Sequence, residues 1–323
     1  MKYRRFGRTN LMVSEIGHGL WGMSGWSGSD DRESQAALQN SLEMGCNFYD
    51  SAWAYGSGHS DRLLGKLIRS NPKAEIITAS KVPPKNFKWP GSSADRLADV
   101  FPNQHVMDYA ERILEGIGKA PLDLLQFHVW DDSWADGDEW KQTIADLKAK
   151  KLIRFFGLSI NRWQPWNGMK ALKTGLVDAV QVIYNIFDQS PEDELFPLCE
   201  KLDIGVIARV PLDEGGLTGK LTDTTRFPKS DWRARYFGPE NLHNTVVRAE
   251  AVKRLLPENM SLPEMALRFI LSNKVVATTI VGMRTADHVN EDIRVSDGIG
   301  LPSKLLTQLK AHRWDRDVAP WSD

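Results

Sequence analysis

The chain of 323 residues contains little cysteine, with Cys46 and Cys199 as its only two. Two thiols exclude a disulfide framework and a cysteine-rich zinc site, and they suit a reducing compartment. An excess of charge is also missing, because 41 Lys and Arg residues stand against 42 Asp and Glu residues, for a net charge of −1. A chain so near neutrality is a poor candidate for binding nucleic acid through its phosphates, and we expect no such partner.

Targeting signals and long apolar runs are absent as well. The basic opening, Met1 to Arg8, is not followed by the apolar stretch of a signal peptide. No apolar run approaches the roughly 18 residues of a transmembrane helix. We therefore expect a cytoplasmic protein that does not contact a membrane. No heptad pattern indicates an oligomeric state. With 41% hydrophobic and 26% charged residues, the composition is that of an ordinary globular chain with a sizeable core.

Short apolar runs alternate with amphipathic stretches along the whole chain. Eight runs are typical of strands buried on both faces: 16–18, 46–50, 76–81, 122–128, 155–159, 179–184, 205–209 and 279–281. Helical patterns lie between them, at 32–44, 106–117, 140–151, 164–174, 192–202, 245–256 and 286–295. This alternation predicts parallel strands joined by helical crossovers, and eight such units match the size of a (β/α)8 barrel.

We accordingly predict an α/β fold, a (β/α)8 TIM barrel that forms a single domain over residues 1–323. A β-hairpin at 3–13 precedes the barrel, and long loops at 83–102, 130–138 and 212–244 follow strand ends, on the face where such barrels hold their active sites. The alternative is a doubly wound open sheet. Gly17, Gly19 and Gly22 spell the dinucleotide-binding pattern, but no helical pattern follows them for several residues.

Four polar residues stand at or just beyond the ends of three consecutive predicted strands: Asp50, Tyr55, Lys81 and His128. In a barrel these strand ends converge on one opening. The cation of Lys81 would lower the pKa of Tyr55 from its usual value near 10, and so make the phenol a workable acid–base. Asp50 would hold that cation, and His128 would donate a hydrogen bond to a carbonyl oxygen. A carbonyl polarised in this way needs a hydride, for which a reduced nicotinamide is the obvious source.

Each of these residues also has an ordinary structural interpretation. An Asp–Lys pair is usually a structural ion pair, a histidine after an apolar strand is often a core residue, and a loop tyrosine often only packs. Convergence of all four at one end of the barrel is what favours catalysis. A metal-dependent barrel is a weaker alternative, because the seven histidines form no H-x-H or H-E-x-x-H pair, and no metal site is expected.

The segment from Gly45 to Gly65 resembles the signature of the aldo-keto reductase superfamily. So do residues 80–82, the strand that ends in His128, the segment 211–220 and the opening residues 3–14. The resemblance spans residues 3–296, with its motifs in order. It implies that Asp50, Tyr55, Lys81 and His128 form the catalytic tetrad of an NADP(H)-dependent reductase of aldehydes or ketones, with a small carbonyl compound or alcohol as substrate. The alternative is an NADPH-binding regulatory or redox-sensing barrel subunit with negligible turnover.

The resemblance also implies a set of cofactor contacts. At the nicotinamide end they are Gly19, Leu20, Trp21, Asp50, Ser159, Asn161, Gln181 and Arg209. Asn161 would stand in for the family's asparagine, which Ile160 replaces, and Arg209 takes the place of an aromatic residue that stacks on the ring. A glycine-rich strap for the pyrophosphate would use Pro211, Leu212, Gly216, Leu217, Gly219 and Lys220.

The adenosine end would use Gly282, Met283, Arg284, His288, Glu291 and Asp292, with Arg284 on the 2′-phosphate and a helix N-terminus facing the anion. His288 stands where the family commonly has Arg or Gln, and Asp292 stands where Asn is usual. The predicted substrate pocket is aromatic, with Trp21, Trp26, Trp53 and Trp130 as its wall and further loop residues from 83–102 and 232–237. Such a wall suits a flat or apolar carbonyl compound, although some of these rings could simply pack the loops.

Overall fold

The computed structural model describes residues 1–25, 28–229 and 231–316. Its ten strands are β1 Tyr3–Arg5, β2 Met12–Ser14, β3 Ile16–Gly19, β4 Phe48–Asp50, β5 Ile77–Val82, β6 Leu122–Phe127, β7 Ile153–Ser159, β8 Ala179–Ile183, β9 Gly205–Arg209 and β10 Val276–Val281. Strands β3 to β10 pair in parallel in chain order, and β10 returns to pair with β3, so that the sheet closes into a barrel. The prediction of an eight-stranded barrel is confirmed, and the open-sheet alternative is wrong.

Twelve helices surround the barrel and its loops in the described part of the chain: α1 Asp31–Glu43, α2 His59–Ser70, α3 Leu97–Val100, α4 Asn103–Ile117, α5 Glu139–Ala149, α6 Met169–Lys173, α7 Leu195–Leu202, α8 Arg233–Tyr236, α9 Pro239–Lys253, α10 Leu262–Leu271, α11 Ala286–Ile293 and α12 Ser303–Lys310. The stretch predicted as a helix at 164–174 is helical only over its second half. Helix α1 begins well beyond Gly22, and Asp30 caps it by accepting from the backbone N–H groups of Arg32 and Glu33.

The predicted hairpin is present and closes the amino-terminal end of the barrel. Tyr3 pairs with Ser14 across it, and Phe6 between the two strands is fully buried. The Phe6 ring packs edge-on against Phe48, with the ring centroids 5.7 Å apart. The side chain of Arg4 donates to the backbone carbonyls of Leu271, Asn273 and Val276, which ties the hairpin to β10 and the helix before it. The hairpin thereby covers this end of the barrel.

Two further observations concern membranes and thiols. In residues 1–25, 28–229 and 231–316, no helix has both the length and the apolar character needed to cross a bilayer. Cys46 and Cys199 are both free and buried, and burial raises the pKa of the Cys46 thiol to about 11. These thiols therefore stay protonated and act as small core residues.

Candidate active site

A buried ion pair lies at the carboxyl ends of β4 and β5. Lys81 Nζ donates to Asp50 Oδ2 at 2.6 Å and to the backbone carbonyl of Ser51 at 2.8 Å, and neither side chain is more than 1% exposed. Burial alone lowers the pKa of Lys81, but the charges of Asp50 and Tyr55 and the hydrogen bonds to them together outweigh that effect, and the net pKa is raised. The amide of Gln181 also donates to Asp50 Oδ1, at 2.9 Å. The ammonium group is therefore charged and fixed.

Tyr55 lies directly in front of this ammonium group. Its hydroxyl oxygen is 3.5 Å from Lys81 Nζ, which donates to it. Burial raises the pKa of Tyr55, and the charge of Lys81 only partly offsets that rise. The expectation of a lowered pKa was therefore wrong, because the cost of placing a phenolate among protein atoms exceeds the attraction of the nearby cation. The Tyr55 hydroxyl is therefore neutral and can donate its proton.

His128 faces Tyr55 across the same opening. The two ring centroids are 5.7 Å apart and nearly perpendicular. Burial, together with the charges of Lys81 and Arg209, holds the pKa of His128 well below its usual range. The imidazole is thus neutral, and its Nδ1 is enclosed without a hydrogen-bond partner. The other ring nitrogen is the one that can donate to a substrate oxygen.

These side chains open onto a cavity of about 170 Å³ on the carboxyl-terminal face of the barrel. Its walls are formed by Tyr55, Trp89, Pro90, His128, Val129, Ser159, Ile160, Asn161, Arg162, Gln181 and Arg209. The structure therefore brings together the predicted catalytic residues Tyr55 and His128 with four of the predicted nicotinamide contacts. A cavity of this volume accommodates a small ring and a small substrate.

The residues predicted to bind the nicotinamide carboxamide differ in which of their polar atoms already have hydrogen-bond partners. Ser159 and Gln181 both line the cavity, and no partner within the described residues occupies the Ser159 hydroxyl or the Gln181 carbonyl oxygen. In contrast, the amide of Asn161 accepts from the backbone N–H of Gly91 at 3.1 Å and donates to the carbonyl of Gly91 at 2.9 Å. Asn161 thus holds the loop after β5, and a cofactor contact would require that pairing to break.

Two arginines form the rest of the cavity wall. Arg209, at the end of β9, donates to the carbonyl of Ile160 at 3.0 Å. Arg162 was not predicted from the sequence; it pairs with Glu214 at 2.9 Å and lies over the rings of Trp232 and Tyr236. Its position just after a strand end, next to Asn161, was the signal that could have identified it.

The glycine-rich strap after β9 is held by two ion pairs to arginines outside the strap. Its residues Asp213 and Glu214 have positive φ values of 47° and 54°, which non-glycine residues rarely adopt. Glu214 pairs with Arg162, and Asp213 pairs with the buried Arg316 at 2.7 Å. A β-carbon at Gly216 would lie 2.6 Å from the side chain of Thr245, so that only glycine fits there. The strap is therefore fixed in place before any ligand binds.

Other predicted strap residues follow the same loop. Pro211 and Leu217 are buried, Leu212 packs against the core, Gly219 takes a left-handed conformation, and Lys220 is exposed to solvent. At the start of the cleft, Gly19 lies against the backbone of Val281, and the buried Leu20 donates its N–H to the carbonyl of Asp50. The strap after β9 and this first loop after β3 thus lie on the two sides of β10.

The predicted adenosine end lies at helix α11. Thr285 caps the helix by accepting from the N–H of His288. Arg284 packs over Gly22, where a β-carbon would come within 2.9 Å of its side chain, and its charge acts on Asp231. The backbone carbonyl of Met283 bonds to His18, Gly282 is exposed, and the Nδ1 atom of His288 is buried without a partner. A cation, a helix N-terminus and an unused imidazole nitrogen fit a phosphate group.

Asp292 is a buried carboxyl group on α11. It is 7% exposed, and burial, together with the charge of Glu291, raises its pKa to about 7. Because folding raises this pKa from its usual value near 4, the folded protein holds the proton more tightly than the unfolded chain does. The buried Asp292 carboxyl therefore lowers the free energy of unfolding only where it would otherwise be ionised. This penalty is absent below about pH 4, grows between pH 4 and 7, and is complete above pH 7.

Asp292→Asn is therefore expected to stabilise the protein at pH 8, by an amount on the order of 3 kcal/mol, and to change little at pH 4.5. Denaturant unfolding at both pH values measures this difference. Asp287→Asn is the matched control, since Asp287 lies exposed on the same helix. An equal effect of Asp292→Asn at the two pH values would show that the carboxyl group does not titrate as inferred.

None of the predicted wall tryptophans that the structure describes lines the cavity, although Trp21 lies near Tyr55. Trp21 is 37% exposed, and its ring centroid lies 5.3 Å from Trp232 and 6.5 Å from Tyr55. Trp130 instead is fully buried against Trp134 and Trp140, where several large rings fill the space between β6 and its helices.

Trp53 is likewise not at the cavity, because its ring packs edge-on against Tyr109 on α4, 4.7 Å away. Trp26 lies outside the described residues. Trp89, from the long loop after β5, forms the wall instead, with its ring 5.6 Å from His128. The sequence feature that could have identified Trp89 is the position of its loop after a strand end.

Comparison with solved structures shows the same fold. The glycerol dehydrogenase AKR11B4 from Gluconobacter oxydans superimposes with a TM-score of 0.78, covering 99% of this chain and 98% of that one at 23% identity. Two relatives are similar over most of their length. The NADH-specific methylglyoxal reductase of Escherichia coli is 26% identical, over 91% of this chain and 93% of its own. A probable voltage-gated potassium channel subunit beta of Arabidopsis thaliana is 24% identical, over 95% and 94%.

Within the described residues, no group of three or more His, Cys, Asp or Glu side chains could hold a metal ion. The family model for the aldo/keto reductase family matches residues 15–313, and thus nearly the whole barrel with all four predicted catalytic residues. The chain belongs to the aldo/keto reductase family.

Proposed function

We propose that this protein is an NADP(H)-dependent reductase that converts a small aldehyde or ketone to the alcohol, with Tyr55 as the proton donor. The observation that carries the proposal is the neutral Tyr55 hydroxyl, which lies 3.5 Å from the buried ammonium of Lys81 and faces His128 across one cavity. This arrangement has a proton donor, a stabilising cation and a second hydrogen-bond donor directed at the place of one substrate oxygen.

When bound, a reduced nicotinamide supplies the hydride. The side chains do the rest. His128 and Tyr55 donate hydrogen bonds to the carbonyl oxygen and hold it against the growing negative charge. Tyr55 then transfers its proton to that oxygen, and Lys81 stabilises the phenolate that remains. Asp50 keeps the ammonium in position together with the backbone carbonyl of Ser51, which accepts a second hydrogen bond from it.

The residues present fit this cofactor. Ser159 and Gln181 keep unused polar atoms at the cavity wall, and the Nδ1 atom of His288 is enclosed without a partner at the far end of the cleft. The Gly216 backbone can approach a pyrophosphate closely, with Leu212 and Leu217 on either side of it in the strap. Glu291 and Asp292 on α11 would meet the adenine, and the buried Asp292 carboxyl can donate as well as accept when protonated.

Turnover with a panel of small aldehydes and ketones, followed by NADPH absorbance, tests the reaction. The alternative is a regulatory barrel subunit that binds the cofactor and turns over negligibly; the Arabidopsis relative is named as a probable channel subunit. Cofactor binding without turnover on any of these carbonyl compounds would favour that alternative. Turnover abolished by Tyr55→Phe would support the reductase.

Arg284 is proposed to select NADPH over NADH. The 2′-phosphate is the only difference between the two cofactors, and charge-assisted hydrogen bonds of this kind are worth about 1.5–3 kcal/mol. Arg284→Ala should therefore weaken NADPH binding roughly ten- to 150-fold and leave NADH binding almost unchanged. Titration by tryptophan fluorescence quenching, at two ionic strengths, measures both. The Escherichia coli relative is named as NADH-specific, so the preference of this chain has to be measured with both cofactors.

Arg294→Ala is the matched control, because Arg294 is an exposed cation at the other end of α11, near Glu264. It should leave both affinities unchanged. If the wild-type protein binds NADH as tightly as NADPH, or if Arg284→Ala weakens both alike, then Arg284 does not bind the 2′-phosphate.

A further inference from the structure

Arg209 leaves an unbalanced positive charge in the cavity. The other two cations near it are paired, Lys81 with Asp50 at 2.6 Å and Arg162 with Glu214 at 2.9 Å. Among the residues that the structure describes, no carboxylate lies within 4.0 Å of the Arg209 guanidinium, which donates only to the carbonyl of Ile160. Its Nε atom is enclosed without any partner.

The neutral groups of the cavity do not cancel this charge. Tyr55 is protonated because its pKa is raised, and His128 is uncharged because its pKa lies well below the usual range. Burial and the neighbouring charge of Arg162 lower the pKa of Arg209 only to about 10, so that Arg209 stays protonated at neutral pH. With the two ion pairs balanced, the cavity wall carries a net charge of about +1.

The charge of Arg209 acts on the one part of the cofactor whose own charge changes during the reaction. The nicotinamide ring is a cation when oxidised and neutral when reduced, whereas the phosphates carry the same charge in both forms. A guanidinium facing the electron-rich reduced ring is attracted to it, while the same group repels the oxidised ring. Because Arg209 is only partly exposed to solvent, water and salt screen these effects incompletely.

We propose that Arg209 makes this pocket bind the reduced cofactor more tightly than the oxidised cofactor, and so favours carbonyl reduction over alcohol oxidation. The inference rests on the proposed function. In a mixture of both cofactor forms, the protein would stay loaded with NADPH. After hydride transfer, the new charge on the ring would speed release of NADP+, and NADP+ would be a weak product inhibitor.

Calorimetric titration of the wild-type protein with NADPH and, separately, with NADP+ tests the proposal. We expect NADPH to bind at least tenfold more tightly, which corresponds to about 1.4 kcal/mol, or to a bound reduction potential higher by about 30 mV. Arg209→Met removes the charge at similar length and should bring the two affinities to within about threefold. Arg209→Lys keeps the charge and should retain most of the preference.

Arg284→Ala serves as the control within the same cleft. It should weaken NADPH and NADP+ by the same factor, because both carry the 2′-phosphate. Equal affinities in the wild-type protein, or an unchanged ratio in Arg209→Met with a normal melting temperature, would overturn the role of Arg209 alone. Failure of both forms to bind the wild-type protein would overturn the proposed function together with it.

Discussion

The Tyr55→Phe variant is expected to reduce carbonyl compounds roughly 10²–10⁴-fold more slowly than the wild-type protein, and to bind NADPH almost equally well. The ring remains to pack against His128, and only the proton donor is removed. No other described side chain with an exchangeable proton is held as close to the Lys81 ammonium in the cavity. Single-turnover kinetics with a reactive aldehyde, together with a binding titration, separates the two effects.

Tyr109→Phe is the matched control. Tyr109 lies on α4, packs edge-on against Trp53 and does not line the cavity, so the loss of its hydroxyl should leave the rate unchanged. Near-normal turnover by Tyr55→Phe would exclude Tyr55 as the proton donor. The raised pKa of Tyr55 also implies that wild-type reduction keeps its donor throughout the neutral pH range.

Lys81→Met is expected to destabilise the protein by about 3–5 kcal/mol and to abolish most of its activity. The stem of methionine fills much of the same space, but Asp50, which is 1% exposed, would be left as a buried charge with only amide donors. Urea unfolding at neutral pH measures the loss of stability, and circular dichroism shows whether the variant folds.

The double variant Asp50→Asn, Lys81→Met distinguishes the two consequences of losing the ammonium. It removes the unpaired charge and should therefore recover much of the lost stability. It should not recover activity, because nothing replaces the cation that stabilises the Tyr55 phenolate. A single Lys81→Met variant as stable as the wild-type protein would contradict the inferred role of the ion pair.

The barrel could be predicted from the sequence because each strand is short, apolar and bounded by a helical pattern. Every predicted strand lies within a few residues of the observed one. The helices His59–Ser70 and Leu262–Leu271 were missed for different reasons. The first begins inside a motif that was interpreted for its polar residues. The second is short and mostly apolar, with seven of its residues buried, so that it resembles a core segment more than a surface helix.

The site was less predictable than the fold. Asp50, Tyr55, Lys81 and His128 could be identified because strand ends converge in a barrel, whatever the loops do. The direction in which the pKa of Tyr55 shifts could not be predicted, since it depends on how much water the folded cavity excludes. The roles of Trp89 and Arg162 depend on how long loops fold back over the barrel, which is fixed by contacts distant in sequence, such as Asn161 with Gly91.

The pairing of β10 with β3 has a consequence for biosynthesis. Ile16 pairs in register with Thr279, so the first barrel strand has no partner on one side until almost the whole chain has left the ribosome. At about 5–20 residues per second, that interval lasts roughly 13–50 s. For all this time, the nascent chain exposes an open sheet edge that can pair with other chains. Fragments that end before Val276 cannot close the barrel, and we expect them to aggregate or be degraded.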